Sequence, residues 1–292
     1  MRRCIFLLGT LWLATSFALP PAEARHRRRR CVKRDQLLKL NYTHGGQVFI
    51  PARLACGGTA FVIILLHGNN QRLDRHPSLG GGRHLERLVS KYVRGRMVWP
   101  VILAEPVHHG ACAKASKRHG LPAVFGGNFN FTVYRRKLRH LLRQHGIKVK
   151  SWSLLAHSGS GCCPGAGIYA AARVFRRIYV FGTSDTCYGS PFYADYIVKR
   201  FTGTRTRVLN TCRGIASHPS YKHYERRLVT RHPRHFRPCD TRYYKYCYRN
   251  PRRFWYAYVT KPSTVRSHNQ VFTEFVKTVL FKFFRRRVRR RR

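Results

Sequence analysis

Residues 151–161 read SWSLLAHSGSG. The apolar run from Trp152 to Ala156 is short and stops at glycine-rich sequence, which favours a buried strand over a helix. A serine at such a strand end, on a tight turn toward a helix, projects its hydroxyl above the edge of a sheet, and small neighbours are needed because the turn is strained and crowded. The usual form of this turn is G-x-S-x-G. Here the residues are Ala156-His157-Ser158-Gly159-Ser160, with Gly161 one place later. Ala156 and Ser160 both depart from the signature, and a plain strand–loop–helix turn also carries glycine, so the reading of Ser158 depends on the rest of the chain.

Working outward, the other apolar runs are also short, β-branched or aromatic, and separated by helical patterns, as expected of parallel strands joined by helices. QVFIPA (47–52) opens the sheet, FVIILLHG (61–68) is its most apolar strand, and MVWPVILAEP (97–106) follows a helix of pattern HLERLVSKYV. In VYRRKLRHLLRQHG, Leu138, Leu141 and Leu142 share one helical face ahead of the strand at 151–158. AGIYAAARVF (helix), RIYVFGTSD (strand), YADYIVKRF (helix) and TRVLNTC (strand) continue the alternation. A Tyr/Arg-rich loop from 214 to 251 then leads to FWYAYVTK as the last strand and VFTEFVKTVLFKFF as the last helix. The pattern predicts one α/β domain, with a doubly wound, mostly parallel sheet flanked by helices. Ligands of such folds sit beyond the carboxyl ends of the strands.

Composition bounds what this domain does. With 292 residues, 43% hydrophobic, the chain has enough apolar surface for one large core. Its sign of charge is unusual: 58 Lys+Arg against 10 Asp+Glu give a net charge of +48, which points to a polyanion as partner or substrate. The first 24 residues, MRRCIFLLGTLWLATSFALPPAEA, have basic, apolar and small-residue sections in the order of a secretory signal peptide, and cleavage is predicted after Ala24. No other run is long enough to span a bilayer, so no transmembrane span is expected in the mature chain. Residues 25–44 are a basic N-terminal segment, 45–284 the domain, and 285–292 an arginine-rich tail. The predicted localisation is secreted or periplasmic, where most of the cysteines would pair. Cys239 with Cys247 is the first expected bridge and Cys31 with Cys56 the second. Zinc ligation is the rival use of these cysteines, but their spacing shows no zinc motif, and no metal or cofactor is expected. Two sequons, at Asn41 and Asn130, are read as chance occurrences.

A serine hydroxyl is a weak nucleophile; it needs a base within hydrogen-bond reach and an acid to orient that base. In a domain of this kind the chain order is Ser, acid, His. After Ser158 the acids are Asp185, Asp195, Glu225, Asp240 and Glu274. Asp185 ends the strand next to Ser158 and is the first candidate. Asp240 and Glu225, in the long loop, remain alternatives. His268, in PSTVRSHNQVF between the last strand and the last helix, is the base with the required order and location. The oxyanion donors would be the backbone N–H groups of Gly159 and of Asn69 in HGNN (67–70).

With LLHGNN, AHSGSG, GTSD and SHNQV in this order, residues 45–284 resemble the α/β-hydrolase superfamily. More narrowly, H-S-G at Ser158 and D-T-C-Y-G at Asp185 look like bacterial serine hydrolases with those two signatures. The resemblance implies the α/β-hydrolase fold, with Ser158 as nucleophile, Asp185 as acid and His268 as base, cleaving an ester or amide without a metal. Cys162-Cys163-Pro164 falls where the helix after the serine should run, and proline is accepted only in a first turn, so that helix should start late. Charge suggests an anionic polymer as substrate. The alternative from another class is a non-catalytic cationic protein on a hydrolase-like scaffold, binding nucleic acid or acidic polysaccharide through its arginine tails by counterion release.

Overall fold

The computed structural model describes residues 34–40, 46–68, 84–108, 125, 129–161, 165–184, 186, 196–197, 199–201, 203–213, 236–241, 244–248, 254–259 and 265–286; between 210 and 271 it describes backbone only. In chain order the strands are β1 (Gln36–Lys39), β2 (Gly46–Ile50), β3 (Gly58–Leu66), β4 (Val101–Pro106), β5 (Ile147–His157), β6 (Ile178–Ser184), β7 (Arg207–Arg213), β8 (Phe236–Thr241), β9 (Tyr244–Tyr248) and β10 (Phe254–Val259). The helices are α1 (His84–Arg94), α2 (Phe131–Gln144), α3 (Gly167–Val174) and α4 (Val265–Phe283).

Eight strands make one sheet, in the order β1-β2-β4-β3-β5-β6-β7-β10. Strand β2 runs antiparallel to both β1 and β4, and every other pairing is parallel. The pleat of β3 shows why its sequence is apolar throughout. Val62, Ile64 and Leu66 enter the core on one face, and Phe61, Ile63 and Leu65 enter the core on the other. Helices α2 and α3 pack on the first face through residues such as Leu138 and Ile168. Helices α1 and α4 pack on the second through Val89 and Phe275. A strand covered on both sides has no solvent face to give to polar residues, and each buried Ile or Leu there contributes about 2 kcal/mol.

Helix α4 runs antiparallel to the strands. Near its start, the Phe272 ring lies 5.0 Å from the ring of His157 at the carboxyl end of β5. Midway, Phe275 lies so close to Gly182 in β6 that a Cβ there would sit 2.6 Å from the ring. Past its end, Phe284 meets Phe61 at the start of β3, ring centroids 5.1 Å apart. The amino end of α4 is therefore at the rim that carries Ser158.

Five predicted boundaries are corrected. Strand β1 lies inside the segment assigned to the basic N-terminus, and Asp35 anchors it by accepting from the Ala52 N–H at 2.8 Å and the Ser90 hydroxyl at 2.6 Å. Four residues among cations carry too little periodicity to announce a strand. The strand β4 starts at Val101, not at Met97, because Pro100 has no N–H for a ladder. The long Tyr/Arg-rich loop contains the antiparallel pair β8–β9. Helix α4 begins at Val265, so His268 is in its first turn instead of in the preceding loop; the polar run Arg266–Gln270 holds no glycine or proline to delay it. The tail is also shorter than read, since Arg286 N–H donates to the Met97 carbonyl at 3.0 Å and Arg285 bridges Val98. Asn130 caps α2, accepting from Val133 N–H at 3.0 Å. The segment read as a signal peptide, residues 1–24, lies outside the described residues.

Candidate active site

Strand β5 ends at His157, and Ser158 opens a 3₁₀ turn, Ser158–Gly161. The Ser158 backbone has φ = 49°, in the left-handed region. An L-residue other than glycine pays about 1–2 kcal/mol for that conformation. Such strain is retained where the surroundings fix it, commonly at functional sites. Ser158 is half-buried, while Gly159, Ser160 and Gly161 are buried.

Ser160, a departure from the signature, is part of what holds the turn. Its hydroxyl is 1% exposed, accepts from His157 N–H at 3.1 Å, and lies within donating distance of the His157 carbonyl (2.8 Å) and the Leu66 carbonyl (3.0 Å). It therefore ties the serine turn both to itself and to the end of β3. The close approach that glycine permits falls elsewhere. A Cβ on Gly161 would sit 2.4 Å from Thr186 Cγ2, and one on Gly167 (φ = 51°) would sit 2.0 Å from the Ser160 carbonyl oxygen. Tyr169, buried in α3, donates its hydroxyl to the Gly161 carbonyl at 3.1 Å. As expected from Pro164, the helix after the serine starts late, at Gly167.

The loop after β3 is anchored by His67. Its Nε2 accepts from His108 N–H at 3.2 Å, so the proton of the neutral ring is on Nδ1, which donates to the Gly68 carbonyl at 2.8 Å. The ring is fully buried and packs 5.0 Å from Phe125. This clamp joins the ends of β3 and β4 immediately before Asn69. In the sequence His67 stands only as a member of HGNN (67–70); the signal available was a histidine at the end of the most apolar strand.

Of the residues selected from sequence, Ser158 and Gly159 lie together in the turn, and His268 lies, by its backbone, in the first turn of α4. Asp185, Asn69 and Glu225 lie outside the described residues. Asp240 is in β8, described by backbone only. Ser184 pairs with His157, and Thr186 packs on Gly161. His268 lies four residues before Phe272 in α4, and Phe272 is the residue whose ring meets His157. Among the described residues no group of three or more His, Cys, Asp or Glu could hold a metal ion. No described helix is long and apolar enough to cross a membrane.

No protein-family model and no curated protein matches the chain. Solved structures do. A ferulic acid esterase superposes with a TM-score of 0.54 over 86% of this chain and 98% of its own, at 10% identity. The feruloyl esterase module from Clostridium thermocellum complexed with sinapinate gives a TM-score of 0.54 over 88% of this chain and 92% of its own, at 11% identity. The strand order, the antiparallel β2 and these superpositions together establish that the chain has the α/β-hydrolase fold.

Proposed function

We propose that this chain is an exported serine hydrolase that cleaves an ester through an acyl-enzyme. In this reading His268 takes the proton of Ser158 as its oxygen attacks the ester carbonyl, and Asp185 orients the imidazole. The N–H groups of Gly159 and Asn69 hold the oxyanion. The alcohol leaves with the proton carried by His268, and water then releases the acid by the reverse sequence. The observation that carries the proposal is the left-handed backbone of Ser158 at the end of β5, a strained conformation that a simple turn would assign to glycine. Two placements support it: Ser184 pairs with His157 at the end of β5 and Thr186 lies against Gly161 of the serine turn, and the amino end of α4 is at the same rim. The structural neighbours named above are esterases, which favours an ester over an amide. Export is supported by Cys56, which is disulfide-bonded. The net charge of +48 favours an anionic substrate.

The test is turnover of p-nitrophenyl acetate by the purified chain and by Ser158→Ala. The proposal expects the variant to fold with an unchanged circular dichroism spectrum and to lose turnover by about 10⁴-fold or more. Full activity in Ser158→Ala would end it.

A further inference from the structure

At the amino ends of the parallel strands, away from Ser158, lies a cleft of about 530 Å³. Its cations are Arg135 and Arg139 of α2, Lys150 of β5, Arg173 of α3, and Arg176 and Arg177 of the following turn; its lining holds no acid. A second cleft of about 470 Å³ shares Ser151 and Arg177 with the first and adds Arg200 and Arg205, again with no acid. Neither of the two ion pairs among the described residues, Arg94–Asp35 and Lys277–Glu274, involves these cations. Arg135 and Arg200 serve the fold by donating to the Val174 and Ala172 carbonyls at the end of α3, and the Lys150 ammonium lies 5.0 Å and 4.9 Å from the ring centroids of Phe61 and Trp99; the other arginines are like charges brought together from several elements, which repel.

Arg177, which lines both clefts, carries the second observation. Its φ is 57°, so an arginine occupies a left-handed turn position that glycine fills at lower cost. Its carbonyl accepts from the Ser151 hydroxyl at 2.6 Å, which fixes the turn against β5. A strained residue thus lines both clefts, and strain of this kind is commonest at functional sites.

We propose that the paired clefts bind a single chain of acidic polysaccharide, with sulfate or carboxylate groups received by the arginine forks. A row of cations running through two joined clefts matches a linear polymer with repeated oxyanions, and guanidinium pairs with such groups bidentately. Single-stranded nucleic acid fits less well, since it draws affinity from bases stacked on open aromatic faces. The aromatic rings here are covered. Trp152 is 8% exposed, and the Arg207 guanidinium lies 4.2 Å from the centroid of Tyr179. The seven residues from Ser151 to Ser158 along β5 put the clefts roughly 20 Å from the serine, at about 3.3 Å per residue. The polymer would hold the protein in place and leave the Ser158 rim open. This binding is independent of the chemistry proposed at Ser158.

The test uses the full chain, titrated calorimetrically with a heparin octasaccharide at about 0.15 M NaCl, where weak surface charge is screened. A cleft variant, Arg139→Gln with Arg173→Gln and Arg176→Gln, is compared with a charge-matched variant, Lys39→Gln with Lys91→Gln and Lys199→Gln, whose residues line neither cleft. The proposal expects the first to weaken binding by about tenfold or more and the second by less than about threefold. Equal losses in the two variants would overturn it, because net charge alone would then explain the affinity. Arg177→Gly supplies an arm free of folding loss: binding should weaken while the melting temperature holds or rises, and undiminished affinity would overturn the proposal. A dT oligonucleotide of matched charge is the last arm. A larger loss on the oligonucleotide than on the octasaccharide in the cleft variant would overturn the assignment to polysaccharide.

Discussion

Replacing Ser158 with glycine should stabilise the protein relative to replacing it with alanine, while both variants are inactive. Both substitutions remove the same hydroxyl, so whatever that hydroxyl contributes cancels in the comparison. What differs is the backbone. At φ = 49° alanine keeps the strain of the left-handed region, about 1–2 kcal/mol, and glycine does not. Glycine gives back about 0.5–1 kcal/mol through the greater freedom of its unfolded chain. The net advantage of Ser158→Gly over Ser158→Ala is therefore about 0.75 kcal/mol from the middle of the two ranges, or roughly 1.5–3 °C in melting temperature for a domain of this size. Differential scanning calorimetry of the two variants reads the difference, and p-nitrophenyl acetate turnover confirms that each is inactive. If Ser158→Ala melts at or above Ser158→Gly, the serine is not held in a strained conformation, and the main structural argument for a displayed nucleophile is lost.

Three further substitutions test the supports of the site. Ser160→Ala leaves the buried His157 N–H without its hydroxyl partner, a loss of about 1–3 kcal/mol, and urea unfolding should show it with a lower kcat; unchanged values would mean that the hydroxyl does not brace the turn. Gly167→Ala places a Cβ 2.0 Å from the Ser160 carbonyl at φ = 51°, so strain and overpacking together should lower stability by about 2–4 kcal/mol and reduce turnover, measured in the same two assays. His67→Ala removes the link between Gly68 and His108 from a fully buried position; it should cost about 2 kcal/mol or more, and kcat should fall more than KM rises if the anchored loop serves the oxyanion.

Much of the fold was legible because the strands buried on both faces are written as continuous apolar runs. FVIILL and SLLAH could be placed from sequence, and the register of β5 and β6 then put Ser184 beside His157. Strand β1 was not legible, since QLLK is four residues long and its anchor, Asp35, acts through contacts distant in sequence. The β8–β9 pair was hidden by Pro238 and by arginines that read as loop. Ser160 was visible only as a mismatch to a signature, and its three-way hydrogen bonding depends on the end of β3, 94 residues away in the chain. The basic clefts were beyond sequence reading for the same reason. Arginines are everywhere in this chain, and only the fold selects those from α2, β5, α3 and the next turn that face a common space.

The most direct measurement is reaction of the folded, full-length protein with a fluorophosphonate, followed by mass spectrometric mapping of the modified peptide. A nucleophilic serine activated by an imidazole reacts with this probe; an ordinary turn serine does not. The account predicts a single adduct on Ser158, lost in His268→Ala and accompanied by loss of esterase turnover. A folded protein that hydrolyses the ester yet carries no adduct, or carries it on another residue, would contradict it.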